Sequence, residues 1–153
     1  MVKVITQIET SRPLQAVADY AANPDNAPEW YVNIKAVDWK TQPPLRVGSN
    51  IAFKAYFLGE KISYVYEIAE NVPYGKLGMQ TPDSPFPMET TYTWEANDDN
   101  SIRVTLRNRG NSKGFSSLMT PFMSRAMRRA NNKDLKLLKK IFEQFYHPLI
   151  RVR

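Results

Sequence analysis

Asp134 is the residue whose position gives it most scope for chemistry. Projected at about 100° per residue, it falls inside a stripe formed by Met119, Met123, Ala126, Met127, Ala130, Leu137, Leu138, Ile141 and Phe145, with Asn131 at the edge. A carboxylate facing a dry pocket loses hydration, its pKa rises, and it can act as an acid or a base. The same carboxylate also has a structural use, accepting a hydrogen bond from a strand Tyr, Trp or Arg and so anchoring the helix. The residues alone leave both uses open. Other chemistry finds no support. His147, the single histidine, stands beside Pro148 beyond the helix with no second ligand nearby, and without cysteine there is no thiolate site or disulfide. No Ser/His/Asp set, phosphate-binding glycine loop or paired carboxylates occur, so neither a metal nor a cofactor is expected.

Charge is the second feature. Residues 113–153 hold ten Lys/Arg against Asp134 and Glu143, whereas the rest of the chain holds eleven basic and thirteen acidic residues. Arg125, Arg128, Arg129, Lys136, Lys139 and Lys140 project opposite the apolar stripe, with Lys133 near the border. Such a face can meet anionic lipid headgroups, and it is equally the wet side of any amphipathic helix. It predicts at most weak contact with an anionic membrane. No helix-turn-helix spacing, ribonucleoprotein aromatic motif or zinc-finger pattern accompanies it, so no nucleic acid partner is expected.

These residues need a long helix to carry them and a sheet to cover it. The periodicity predicts a helix from about Ser116 to Phe145, roughly 45 Å at 1.5 Å per residue. Thr120-Pro121 marks either its true start or a kink, and Gly114 with Phe115 and Leu118 could form a portal there. Upstream, residues 2–10 alternate as a strand. Ser11 and Pro13 then read as the N-cap and first turn of a short helix through Ala21, and residues 23–31 hold a second short helix or 3₁₀ turn. Alternating segments at 34–41, 51–57, 62–68, 76–81, 88–94 and 102–106 read as strands separated by Pro, Gly and Asn/Asp turns. The order predicts an α+β helix-grip fold: a curved antiparallel sheet of about six or seven strands around the terminal helix, leaving a pocket between them. At 153 residues, with 42% hydrophobic residues and no internal repeat, the chain suits one domain over residues 1–146 with a tail at 147–153. Its polar opening lacks the apolar run of a signal peptide, so a cytoplasmic location is expected.

Ser11-Arg12-Pro13, Asn23-Pro24 through Glu29-Trp30, Val47-Gly48, Tyr66-Glu67-Ile68, Tyr92-Thr93-Trp94, the acidic turn before Arg103-Val104-Thr105-Leu106, and the Pro121-containing helix resemble the START-like SRPBCC superfamily over residues 2–145. That superfamily includes polyketide cyclase/dehydrase-like proteins, ubiquinone-binding proteins, lipid-transfer domains and pollen-allergen relatives. The resemblance implies a deep apolar cavity under the terminal helix, and it does not imply one activity. Applied here, the lining is Trp30, Phe53, Tyr64, Tyr66, Met79, Met88, Tyr92, Trp94, Phe115, Met119, Phe122, Met123 and Met127. Thioethers repack around ligands of varied shape, and Tyr hydroxyls orient a polar end. The expected function is binding or carriage of a hydrophobic small molecule, such as a lipid, an isoprenoid or quinone, or an aromatic polyketide-like compound. The alternatives are a polyketide cyclase/dehydratase-like enzyme, with Asp134 as its acid or base, and a peripheral membrane or partner-binding module using the basic face.

Overall fold

The computed structural model describes residues 2–57, 59–81, 87–110 and 120–145. In chain order these form β1 (Val2–Thr10), α1 (Leu14–Ala22), a 3₁₀ turn (Pro24–Asn26), α2 (Ala27–Trp30), β2 (Ile34–Trp39), β3 (Asn50–Phe57), β4 (Glu60–Val72), β5 (Lys76–Gln80), β6 (Met88–Ala96), β7 (Ile102–Gly110) and α3 (Thr120–Phe145). All seven strands join one curved antiparallel sheet in the order β1-β7-β6-β5-β4-β3-β2, the helix-grip arrangement. Alternation sets the register, with shifts between Ile34 and Ala36 and between Ile68 and Glu70. In β7, for example, Ile102, Val104, Leu106 and Asn108 are buried while Arg103, Thr105 and Arg107 are more exposed.

The two ends of the sheet differ in their relation to α3. The helix runs beside β1 and touches α2, and its backbone stays away from the middle strands. Its second half contributes Leu135, Leu138 and Phe142 to the main core with Val17 and Ala18 of α1 and Ile51, Ile68 and Val104 of the sheet. Phe142 meets Tyr20 edge-on at 5.2 Å. The first half packs Met123 and Met127 on Val2 and Val4 of β1. Between these contacts the inward side chains of β3 to β6 face α3 across a gap.

Two local expectations change. The first short helix starts at Leu14 with Pro13 in the cap position and no side-chain cap, so Ser11 does not cap it. Asn23 caps instead, accepting from the Asp25 backbone N–H at 3.0 Å and starting the 3₁₀ turn. The buried side of α3 is also rotated from the apolar stripe by about 60°. It comprises Met123, Met127, Asn131, Asp134, Leu135, Leu138 and Phe142, leaving Ala126, Ala130, Leu137 and Ile141 half-buried. A helical wheel weighs only hydrophobicity, whereas the helix leans on β1 and so turns Asn131, Leu135 and Phe142 inward, with Asp134 still on the buried side. The Ser116 start, the Gly114/Phe115/Leu118 portal, Met119, the Phe145 side chain and His147 lie outside the described residues. Among the described residues, no helix is long and apolar enough to cross a membrane.

Candidate functional site

The gap between α3 and the sheet is a cavity of about 440 Å³. Strand alternation delivers Phe53 and Ala55 from β3, Tyr64 and Tyr66 from β4, Met79 from β5, and Met88, Thr90 and Tyr92 from β6. The helix adds Met123, Met127, Ala130, Asn131 and Asp134 at helical spacing. Three rings form one wall: Phe53 lies 5.9 Å from both Tyr64 and Tyr66, and Tyr64 meets Tyr66 edge-on at 5.4 Å. Tyr56 and Ile62, near the end of the β3–β4 hairpin, are about two-fifths exposed and mark an open side.

Of the lining expected from sequence, Phe53, Tyr64, Tyr66, Met79, Met88, Tyr92, Met123 and Met127 surround this space. Three described residues do not. Trp30 is wholly buried beneath Tyr31, with ring centroids 4.0 Å apart, and fills core instead. Trp94 stacks on Tyr92 at 6.1 Å on the side away from the cavity, where it borders a separate groove beside Trp39 and Tyr74. Phe122 is 52% exposed because the rotation of α3 carries it outward. Phe115 and Met119 lie outside the described residues. Sequence reasoning passed over Tyr31, Asn33, Ala55, Thr90 and Asn108. The parity of β3, β6 and β7 puts Ala55, Thr90 and Asn108 on the inward face, but their small or polar side chains carry no hydrophobic signal.

The polar groups fall into two sets. In the first, Thr90 Oγ1 donates to Asn108 Oδ1 at 2.5 Å, so the Tyr66 hydroxyl, 2.7 Å away, donates to Thr90. The second centres on Asp134, which is 5% exposed and accepts from the Val32 backbone N–H at 2.8 Å. A backbone amide after α2, rather than a strand Tyr, Trp or Arg, is thus its anchor. Burial pushes its carboxyl up to about 7, against the opposing pull of the Val32 bond. Burial also raises the hydroxyls of Tyr64 and Tyr92, with the Asp134 charge adding to both, and keeps them protonated. The Tyr92 Oη and Asn131 Nδ2 atoms are buried without a hydrogen-bond partner among the described residues. Among the described residues, no group of three His, Cys, Asp or Glu could hold a metal.

On the other side of α3, Arg125, Arg128, Arg129, Lys133, Lys136 and Lys140 are exposed. Lys139 is partly covered and lies 3.8 Å from Glu143, while Arg128 donates to the Ile5 carbonyl at 3.4 Å.

Residues 1–143 match the sequence profile of the family described as polyketide cyclase / dehydrase and lipid transport. The chain belongs to that family. No curated protein matches it significantly. Among solved structures, this polyketide cyclase/dehydrase family member is similar to the Zhui aromatase/cyclase from Streptomyces sp. R1128, with TM-score 0.80, 10% identity and 96% of each chain covered. It also resembles a START superfamily protein from Mycobacterium smegmatis, with TM-score 0.78, 12% identity, 93% of this chain covered and 97% of that one. The di-domain ARO/CYC BexL from the BE-7585A biosynthetic pathway matches at TM-score 0.78 and 20% identity over 97% of this chain. The chain spans 48% of that di-domain protein's length. At these identities the likeness establishes the START-like fold, common to hydrophobic-ligand-binding and cyclase proteins.

Proposed function

We propose that the protein binds and carries a hydrophobic small molecule of the lipid, isoprenoid/quinone or aromatic polyketide-like kind. One observation carries this reading: a cavity of about 440 Å³ walled by Phe53, Tyr64, Tyr66 and Tyr92 and by four methionines, at 79, 88, 123 and 127. That volume lies within the range of small-molecule sites, and the wall combines rigid rings with side chains that repack. Native mass spectrometry of the purified protein, followed by extraction of retained material, tests it. A lipid, quinone or aromatic adduct is expected at one per chain. An empty protein that also binds no apolar fluorescent probe would overturn the reading.

A cyclase or dehydratase reading has its own support in Asp134, whose carboxyl titrates near 7 on the cavity wall. Such a group can remove a proton α to a carbonyl and return it to a departing hydroxyl, which leaves as water. Similarity to an aromatase/cyclase fits this reading. It requires turnover of a cyclisable polyketide analogue that falls by about 10²-fold or more in Asp134→Asn, with binding retained. No turnover by the native protein would leave the carrier reading alone.

A further inference from the structure

We propose that the cavity selects for charge: the buried end of its ligand is an uncharged carbonyl oxygen, and a carboxylate there is rejected. This rests on the ligand-binding reading above. Three groups on two elements define that end. Tyr92 is 1% exposed and comes from β6; Asn131 and Asp134 are 7% and 5% exposed and stand one turn apart on α3. All three line the cavity. The Tyr92 hydroxyl and the Asn131 amide are donors without a partner among the described residues, and buried donors favour an acceptor strongly because nothing else offsets their lost hydration. A carbonyl oxygen, with two lone pairs and no charge, suits either donor.

Charge decides between a neutral acceptor and an anionic one. Among the described lining residues, Asp134 is the single charged group, and the other titratable ones are Tyr31, Tyr56, Tyr64, Tyr66 and Tyr92. A ligand carboxylate would therefore meet tyrosine dipoles and one like charge, with no described cation on the wall to balance it. In a low-dielectric site that repulsion is weakly screened. Ketones, quinones and neutral esters fit; fatty acids and other carboxylates with the charge turned inward do not.

Three probes of one shape separate these terms: 2-acetylnaphthalene, 2-ethylnaphthalene and 2-naphthoate. Their binding is measured by calorimetry at pH 8.5, where Asp134 is ionised. The ketone is expected to bind about 10-fold more tightly than the hydrocarbon and at least about 10-fold more tightly than the carboxylate. In Tyr92→Phe the ratio of ketone to hydrocarbon affinity should shrink. Asn131→Leu, which removes the other donor, serves the same purpose if Tyr92→Phe does not fold. In Asp134→Asn the carboxylate should gain on the ketone. The proposal is overturned if the native protein binds naphthoate as well as the ketone, if both donor variants keep the full ketone preference, or if Asp134→Asn leaves the carboxylate ratio unchanged. Binding of none of the three would instead remove the ligand-binding reading, and this inference with it.

Discussion

Replacing Asp134 by Asn should make the protein more stable in alkaline solution, although the substitution removes a buried group that anchors a helix. The folded carboxyl titrates at about 7 against an ordinary 3.8, with burial as the leading cause. Between those values the unfolded chain has released its proton while the folded chain still holds it. Folding is therefore favoured most below the unfolded value, loses stability as pH rises towards the folded value, and levels off above it. The full gap is worth about 4 kcal/mol at about 1.36 kcal/mol per pH unit, and the part between pH 5 and pH 8.5 about 2.5 kcal/mol. Asparagine keeps an oxygen for the Val32 N–H, whose bond to Asp134 is 2.8 Å, and does not ionise. Urea unfolding of both proteins at the two pH values isolates the effect, because every other titrating group cancels in the difference. The variant should gain about 2.5 kcal/mol on the native protein from pH 5 to pH 8.5, a shift of roughly 5–10 °C in Tm. A difference that does not change with pH would show that Asp134 titrates at its ordinary value and that the cavity around it is wet.

Three further outcomes test the remaining parts of the structure. Met123→Trp fills the cavity from the helix side and should weaken N-phenyl-1-naphthylamine binding about 10-fold or more while circular dichroism stays native; unchanged affinity would place the probe elsewhere. Phe142→Ala removes a ring that is 1% exposed and packed on Tyr20, and should cost about 3–5 kcal/mol in urea unfolding; a loss under about 1 kcal/mol would mean that the α3–α1 contact is not core. The exposed cations of α3 should give weak binding to phosphatidylserine vesicles that fades by about 0.5 M salt and falls in Arg129→Glu with Lys136→Glu; equal binding to neutral vesicles would discard this contact.

Most of the architecture could be read from sequence because it rests on periodicity. The inward residues of β6 and β7, the hairpin around Gly59 and the amphipathic terminal helix each declare themselves by spacing of two or 3.6. The cavity was less readable, since a residue that lines a space and one that fills a core have the same hydrophobicity. Trp30 shows this: it is a large aromatic residue like Tyr92, yet it packs solid core, and only the placement of α2 decides which. Asp134 was visible as a polar break in an apolar stripe, whereas its partner was not, because a backbone amide at Val32 has no side-chain signature. The rotation of α3 escaped for a related reason. It follows from how the helix leans on β1, a tertiary property that the wheel does not contain.

That lean has a consequence for how copies of the protein behave towards one another. β1 and β2 are the two outer strands of the sheet, and an outer strand exposes main-chain groups to which another chain can add. α3 runs beside β1, and Arg128 places its guanidinium 3.4 Å from the Ile5 carbonyl, so a charged side chain occupies a polar site that an incoming strand would need. The other border is short, breaks register between Ile34 and Ala36, and carries exposed Lys35, Asp38 and Lys40. Helix, cation and bulge together guard both margins against edge-to-edge aggregation, so a curled sheet with an apolar inner face need not recruit its own kind.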